Sequence, residues 1–94
     1  MIIYQVIDEG LNSFLTFSGN PGTEKEGYRR SYKKSSIKEV ITNEDDRFLT
    51  LVSIDNNTSS YDYKECYATA GNEPDGQYQD IDSFRRDIIE ILSS

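Results

Sequence analysis

A chain of 94 residues, 35% hydrophobic and 29% charged with a net charge of -7, has room for one small core and buries only about 60 to 65% of its unfolded surface. Its aromatic content of 12% argues against disorder, whose signature is high charge with few aromatic residues. The absence of histidine excludes the usual general base near neutral pH, every nucleophile–histidine pair and the common zinc sites.

No apolar run approaches the roughly 18 residues of a membrane span. The opening stretch MIIYQVIDEG has neither a basic leader nor a small-residue cleavage site. A single cysteine, Cys66, cannot form an internal disulfide, so the expectation is one cytoplasmic domain over residues 1–94, with no membrane association. Charge is unevenly placed: residues 1–27 carry net -3, residues 28–38 net +5 and residues 39–94 net -9. An acidic balance repels nucleic acid and favours basic protein partners. The opposed signs also leave room for a homodimer in which the basic segment of one copy meets an acidic face of another.

Residues 2–7 are apolar and β-rich, residues 8–12 supply turn chemistry, and SFLTFS at 13–18 alternates again, which predicts a hairpin. GNPGTEKEG at 19–27 predicts an exposed loop. YRRSYKK at 28–34 predicts an edge strand guarded by arginine and lysine. The same interleaving of rings and cations would suit single-stranded nucleic acid, but the net -9 of the following segment opposes a polyanion. SIKEVIT at 36–42 predicts a half-buried strand, NEDD at 43–46 a polar turn, and RFLTLVSI at 47–54 a central strand apolar on both faces. DNNTSS at 55–60 turns the chain and YDYKECYA at 61–68 returns it, closing a meander. Alternation would put Tyr61, Tyr63, Glu65 and Tyr67 on one face and Asp62, Lys64 and Cys66 on the other; the tyrosine face is core if the helix packs on it and an exposed aromatic and acidic stripe if the helix covers the other side, with Tyr61 and Tyr63 nearer the wet end. After a loop at 71–77, Ile81, Phe84, Ile88, Ile91 and Leu92 fall at helical spacing, with Asp80 or Asp82 placed to cap the first turn. The expected fold class is α+β, an antiparallel sheet of about five strands with one C-terminal amphipathic helix on one face.

Cys66 lies between Glu65 and Tyr67 with Asp62 nearby; carboxylates raise a thiol pKa, so a packing role is expected rather than a nucleophile. The stretch 55–66 starts like a calcium loop, with Asp55, Asn57 and Ser59, but puts Ser60 where glycine is needed and Cys66 where a bidentate glutamate is needed. Glycines never fall at nucleotide-loop spacing. No metal or cofactor is therefore expected. The carboxylate pairs Asp45 with Asp46 and Asp62 with Glu65 leave a small carboxylate-dependent enzyme as one alternative, and a small-molecule or nucleotide-binding regulatory module is another. The leading expectation is a non-catalytic, acidic protein-binding module that contacts a partner through Glu44, Asp45, Asp46, Asp55, Tyr61, Asp62, Tyr63 and Glu65. Small acidic domains of this kind include inhibitors and immunity-type proteins, among them phage- or mobile-element-encoded antagonists of defence enzymes. By that analogy of charge and size, the partner would offer a basic, nucleic-acid-binding site.

Overall fold

The computed structural model describes residues 2–10, 13–68 and 76–94. The strands are β1 (Tyr4–Asp8), β2 (Phe14–Gly19), β3 (Arg29–Lys33), β4 (Ile37–Thr42), β5 (Phe48–Ser53), β6 (Thr58–Asp62) and β7 (Cys66–Ala68), followed by the helix α1 (Ile81–Ser93). They form two sheets, in the orders β3-β2-β1-β7 and β4-β5-β6. The α+β class is as expected, but the single five-stranded sheet is corrected to one of four strands and one of three. The strands β3 and β4, and β6 and β7, are each one extended stretch bent at a corner, so five stretches make seven strands; the sequence separates the first pair but reads 61–68 as a single strand. A 3-10 turn at Lys34–Ser36 carries β3 into β4, and another at Tyr63–Glu65 carries β6 into β7. Each turn takes the chain from one sheet to the other, the corner by which two sheets enclose a common core.

The stretch 61–68 is thus two strands of different sheets, and the expected tyrosine stripe does not exist as one face. The second corner has a local cause: Asp62 caps it, its Oδ1 accepting a hydrogen bond from the Lys64 amide at 2.9 Å. A meander of five segments that closes on itself must bring its first and last strands together in parallel. Accordingly β7 pairs parallel with β1, Tyr4 opposite Cys66, while every other strand pairing is antiparallel.

Inward-facing residues of both sheets meet in one core: Val6, Leu15 and Phe17 from the first, Leu49, Leu51 and Tyr61 from the second, with Ile81, Phe84, Ile88 and Ile91 of α1. The amphipathic stripe and the Asp80 cap are as the sequence predicts, Asp80 Oδ1 accepting from the Ser83 amide at 2.7 Å. The helix lies along the free edge of β4, where Arg85 Nη1 donates to the Val40 carbonyl at 3.1 Å and to Thr42 Oγ1 at 3.2 Å. It therefore fills an open side between the two sheets rather than covering one face. At Gly19 the loop folds back so closely that a Cβ would lie 1.7 Å from the Lys25 carbonyl oxygen, which only glycine avoids. The expected loop at 71–77 lies outside the described residues up to 75; beyond it, Gln77 bridges to Tyr67.

Lys34, part of the basic segment, turns inward instead of guarding the edge. Its side chain is 3% exposed and its Nζ donates to Asp8 Oδ1 at 2.7 Å, to Ser94 Oγ at 3.2 Å and to the Gly10 carbonyl. The first corner is thereby fastened to β1 and to the end of α1, a buried ammonium being tolerable only with such a full set of acceptors.

Candidate docking face

β5 is the middle strand of its sheet, but only one of its faces is fully enclosed. Leu49 and Leu51 point into the core, and Phe48 and Thr50 point outward. Directly opposite residues of an antiparallel pair share a face, so Ile41, opposite Thr50, and Ser60, also opposite Thr50, lie on that outer surface. Phe48 and Ile41 are each 43% exposed, and Thr50 and Ser60 hydroxyls are hydrogen-bonded at 2.8 Å. The result is a flat patch with two large apolar side chains on a rigid sheet.

The turn 43–46 leads directly into this patch. Asp46 is committed to the turn itself: its amide donates to the Asn43 carbonyl at 3.0 Å and its Oδ1 accepts from the Phe48 amide at 3.2 Å. Glu44 and Asp45 are exposed. Next to them the second corner is anchored by the Tyr63 amide, which donates to the Arg47 carbonyl at 3.0 Å. Arg47 Nε donates to Asp62 Oδ2 at 2.7 Å, and its guanidinium lies 5.8 Å from the centre of the Phe48 ring. Glu44, Asp45, Asp46, Arg47, Phe48, Tyr63 and Glu65 are therefore neighbours at one end of the three-stranded sheet.

Three of the residues expected at a partner contact behave otherwise. Asp62 is 2% exposed and serves as corner cap and Arg47 partner. Tyr61 is 4% exposed and stacks on Phe17 with ring centres 3.7 Å apart. Its hydroxyl sits between those of Tyr28 at 2.8 Å and Tyr32 at 2.6 Å, and burial together with these bonds pushes its pKa well up, so it stays a neutral hydroxyl. Asp55 lies in the turn at the other end of β5, roughly 3.4 Å per residue away along the strand, where Asn56 adopts a φ of 66° that asparagine tolerates well. Tyr63 is half-buried against the core, and Glu65 is half-buried.

Exposure of Phe48 is not legible in RFLTLVSI, which reads as apolar on both sides, nor that of Ile41 in SIKEVIT, where apolar residues fall on both alternating sets and no local signal says which side stays open. The kinship of the two corners was also missed. Tyr32 precedes Ile37, and Tyr61 precedes Cys66, by the same spacing, and these two tyrosines meet through their hydroxyls.

Cys66 is completely buried. Burial first, then Glu65 and Asp62, push its thiol pKa up, which suppresses the thiolate that reacts. A soluble aromatic disulfide reagent is expected to label Cys66 only as fast as the domain opens, so labelling and global hydrogen exchange should accelerate together with denaturant. Rapid labelling under native conditions would show the thiol to be accessible.

Among the described residues no three histidine, cysteine, aspartate or glutamate side chains converge on a possible metal position, and no helix is long and apolar enough to cross a membrane. Comparison with known proteins finds no matching family model, no matching curated protein and no matching solved structure.

Proposed function

We propose that the protein is a non-catalytic docking module that places the outer face of the β4-β5-β6 sheet, with Glu44 and Asp45 at its rim, on a basic surface of another protein. The observation that supports this reading is the placement of Phe48 and Ile41, half-exposed on a rigid sheet, directly beside an exposed acidic turn. Interfaces concentrate binding energy in such apolar anchors, while rim charges set the rate and the choice of partner. A partner whose basic site ordinarily holds nucleic acid fits this charge pattern, and the protein would act there as an antagonist by occupying that site.

The test begins with the partner recovered on immobilised protein and continues with purified components. Glu44→Lys with Asp45→Lys is expected to slow association about tenfold and to flatten its salt dependence. Phe48→Ala is expected to leave association unchanged and to raise dissociation about tenfold. An oligonucleotide should compete with the protein for its partner. Association and salt dependence unchanged in the double variant, or simultaneous binding of oligonucleotide and protein, would overturn the reading.

A further inference from the structure

Two sheets joined at two corners leave two open sides, and among the described residues a backbone element fills one of them. On the first, α1 lies along β4 and Arg85 bonds the β4 edge. On the second, the edges of β3 and β6 are linked, among the described residues, by the hydroxyl bridge from Tyr28 and Tyr32 to Tyr61. Beside that bridge is a cleft of about 200 Å³, lined by the unbroken run Arg30, Ser31, Tyr32 and Lys33 on one wall and by Ser53, Asp55, Asn57 and Ser59 on the other. A lining of consecutive strand residues means that the cleft runs along the backbone edge itself.

The direction of the β3 backbone groups follows from its pairing. The Gly19 amide donates to the Tyr28 carbonyl and the Lys34 amide to the Ser13 carbonyl, so the even-numbered residues of β3 bond to β2. The amide and carbonyl groups of Arg29 and Ser31 and the amide of Lys33 then point to the open side, the Lys33 carbonyl accepting from Ser36 Oγ at 2.8 Å. Among the described residues β3 pairs with no strand but β2, so this edge is a ready template for one more strand. Its side chains restrict which strand. Arg30 stands opposite Phe17 and so faces inward toward the cleft, its guanidinium 5.1 Å from the centre of the Tyr32 ring. Neither Arg30 nor Lys33 forms an ion pair with a carboxylate of the described residues. Cations along an edge discourage pairing with a basic or identical strand, and the same cations attract an acidic one.

We infer that the β3 edge is a second docking site, which takes an extended acidic segment of another polypeptide by strand addition, with a carboxylate of that segment on Arg30 in the cleft. This is the recognition mode in which backbone bonds supply affinity and alternate side chains supply selectivity. It is independent of the acidic docking face, from which it differs in sheet, strand and sign of charge. The exposed cations Arg30 and Lys33 and the exposed carboxylates Glu44 and Asp45 then lie on two separate surfaces of one small domain.

The experiment uses the whole isotope-labelled protein and three acetylated probe peptides: glutamate alternating with valine, lysine alternating with valine, and the glutamate peptide N-methylated on alternate backbone nitrogens. The glutamate peptide is expected to shift the amide resonances of Arg29, Ser31 and Lys33 saturably. The N-methylated peptide, with the same charge, should bind about tenfold more weakly or not at all, because it cannot complete the ladder. Arg30→Glu should weaken the glutamate peptide about tenfold, and Asp55→Asn, which removes the one carboxylate lining the cleft among the described residues, should tighten it. Equal binding of the N-methylated or the lysine peptide would overturn the inference, as would an absence of shifts at β3. Concentration-dependent shifts of the same amides without peptide would also overturn it, by making a second copy of the chain the occupant.

Discussion

Ile88→Asp is expected to abolish the cooperative thermal transition of the domain. Ile88 is completely buried on the stripe of α1 that closes one open side of the two-sheet core. An aspartate there loses the burial of an aliphatic side chain, about 2 to 3 kcal/mol, and brings a charge into a place without a partner, several kcal/mol more. A domain of this size holds about 5 to 10 kcal/mol in total, so the sum reaches the whole of its stability. Ile88→Val keeps the stripe and should cost only about 1 kcal/mol. Calorimetry or circular dichroism on both variants checks the pair. An Ile88→Asp protein that melts within a few degrees of the parent would show that α1 is not part of the core.

Asp8→Asn is expected to have the next largest effect, and one that depends on pH. The bond from Lys34 is the main reason that the Asp8 carboxyl is held below its usual range, with the Gly10 amide helping. A depressed folded-state pKa means that the folded protein prefers the carboxylate. Its contribution is therefore fully present above the unfolded value of about 3.9 and is lost as pH falls through the lower folded value. Removing a partner from a fully buried ion pair costs about 3 to 5 kcal/mol. Asp8 is about one third exposed, so water offsets part of this and about 2 kcal/mol is expected near neutral pH. Denaturant unfolding should show parent and Asp8→Asn separated near neutrality and converging as pH falls below the usual carboxylate range, through the lowered folded value. A constant difference between the two across that range would remove the Asp8 carboxylate from the acid response.

These two variants mark the boundary of what could be read from the chain. Ile88 was recognisable because helical spacing and an Asp80 cap are local patterns, complete within a few turns. Asp8 with Lys34 was not, since lysine in a run of basic residues reads as solvent-facing until a distant aspartate and the end of a helix are brought to it. The candidate docking face divides in the same way. Glu44, Asp45 and Asp46 announce an exposed turn by composition, whereas Phe48 and Ile41 are left on the surface only when a second sheet covers Leu49 and Leu51 but not their neighbours.

The sequence by itself determined the first hairpin, the basic edge strand, the strand order β4-β5-β6, the capped amphipathic helix and the inert surroundings of Cys66, because each depends on residues a few positions apart. Only the tertiary structure decided that there are two sheets. The 3-10 turn at Tyr63–Glu65 occupies a stretch whose composition still reads as strand, and its one local mark, the capping Asp62, is equally at home on the polar face of a strand. The parallel closure of β7 on β1 joins residues about sixty positions apart, a pairing whose cost in chain entropy is recovered only by the shared core. That closure decided that Tyr61 and Asp62 are buried and left the β3 edge open, since a core enclosed by two sheets joined at two corners has two open sides and the described residues supply one helix.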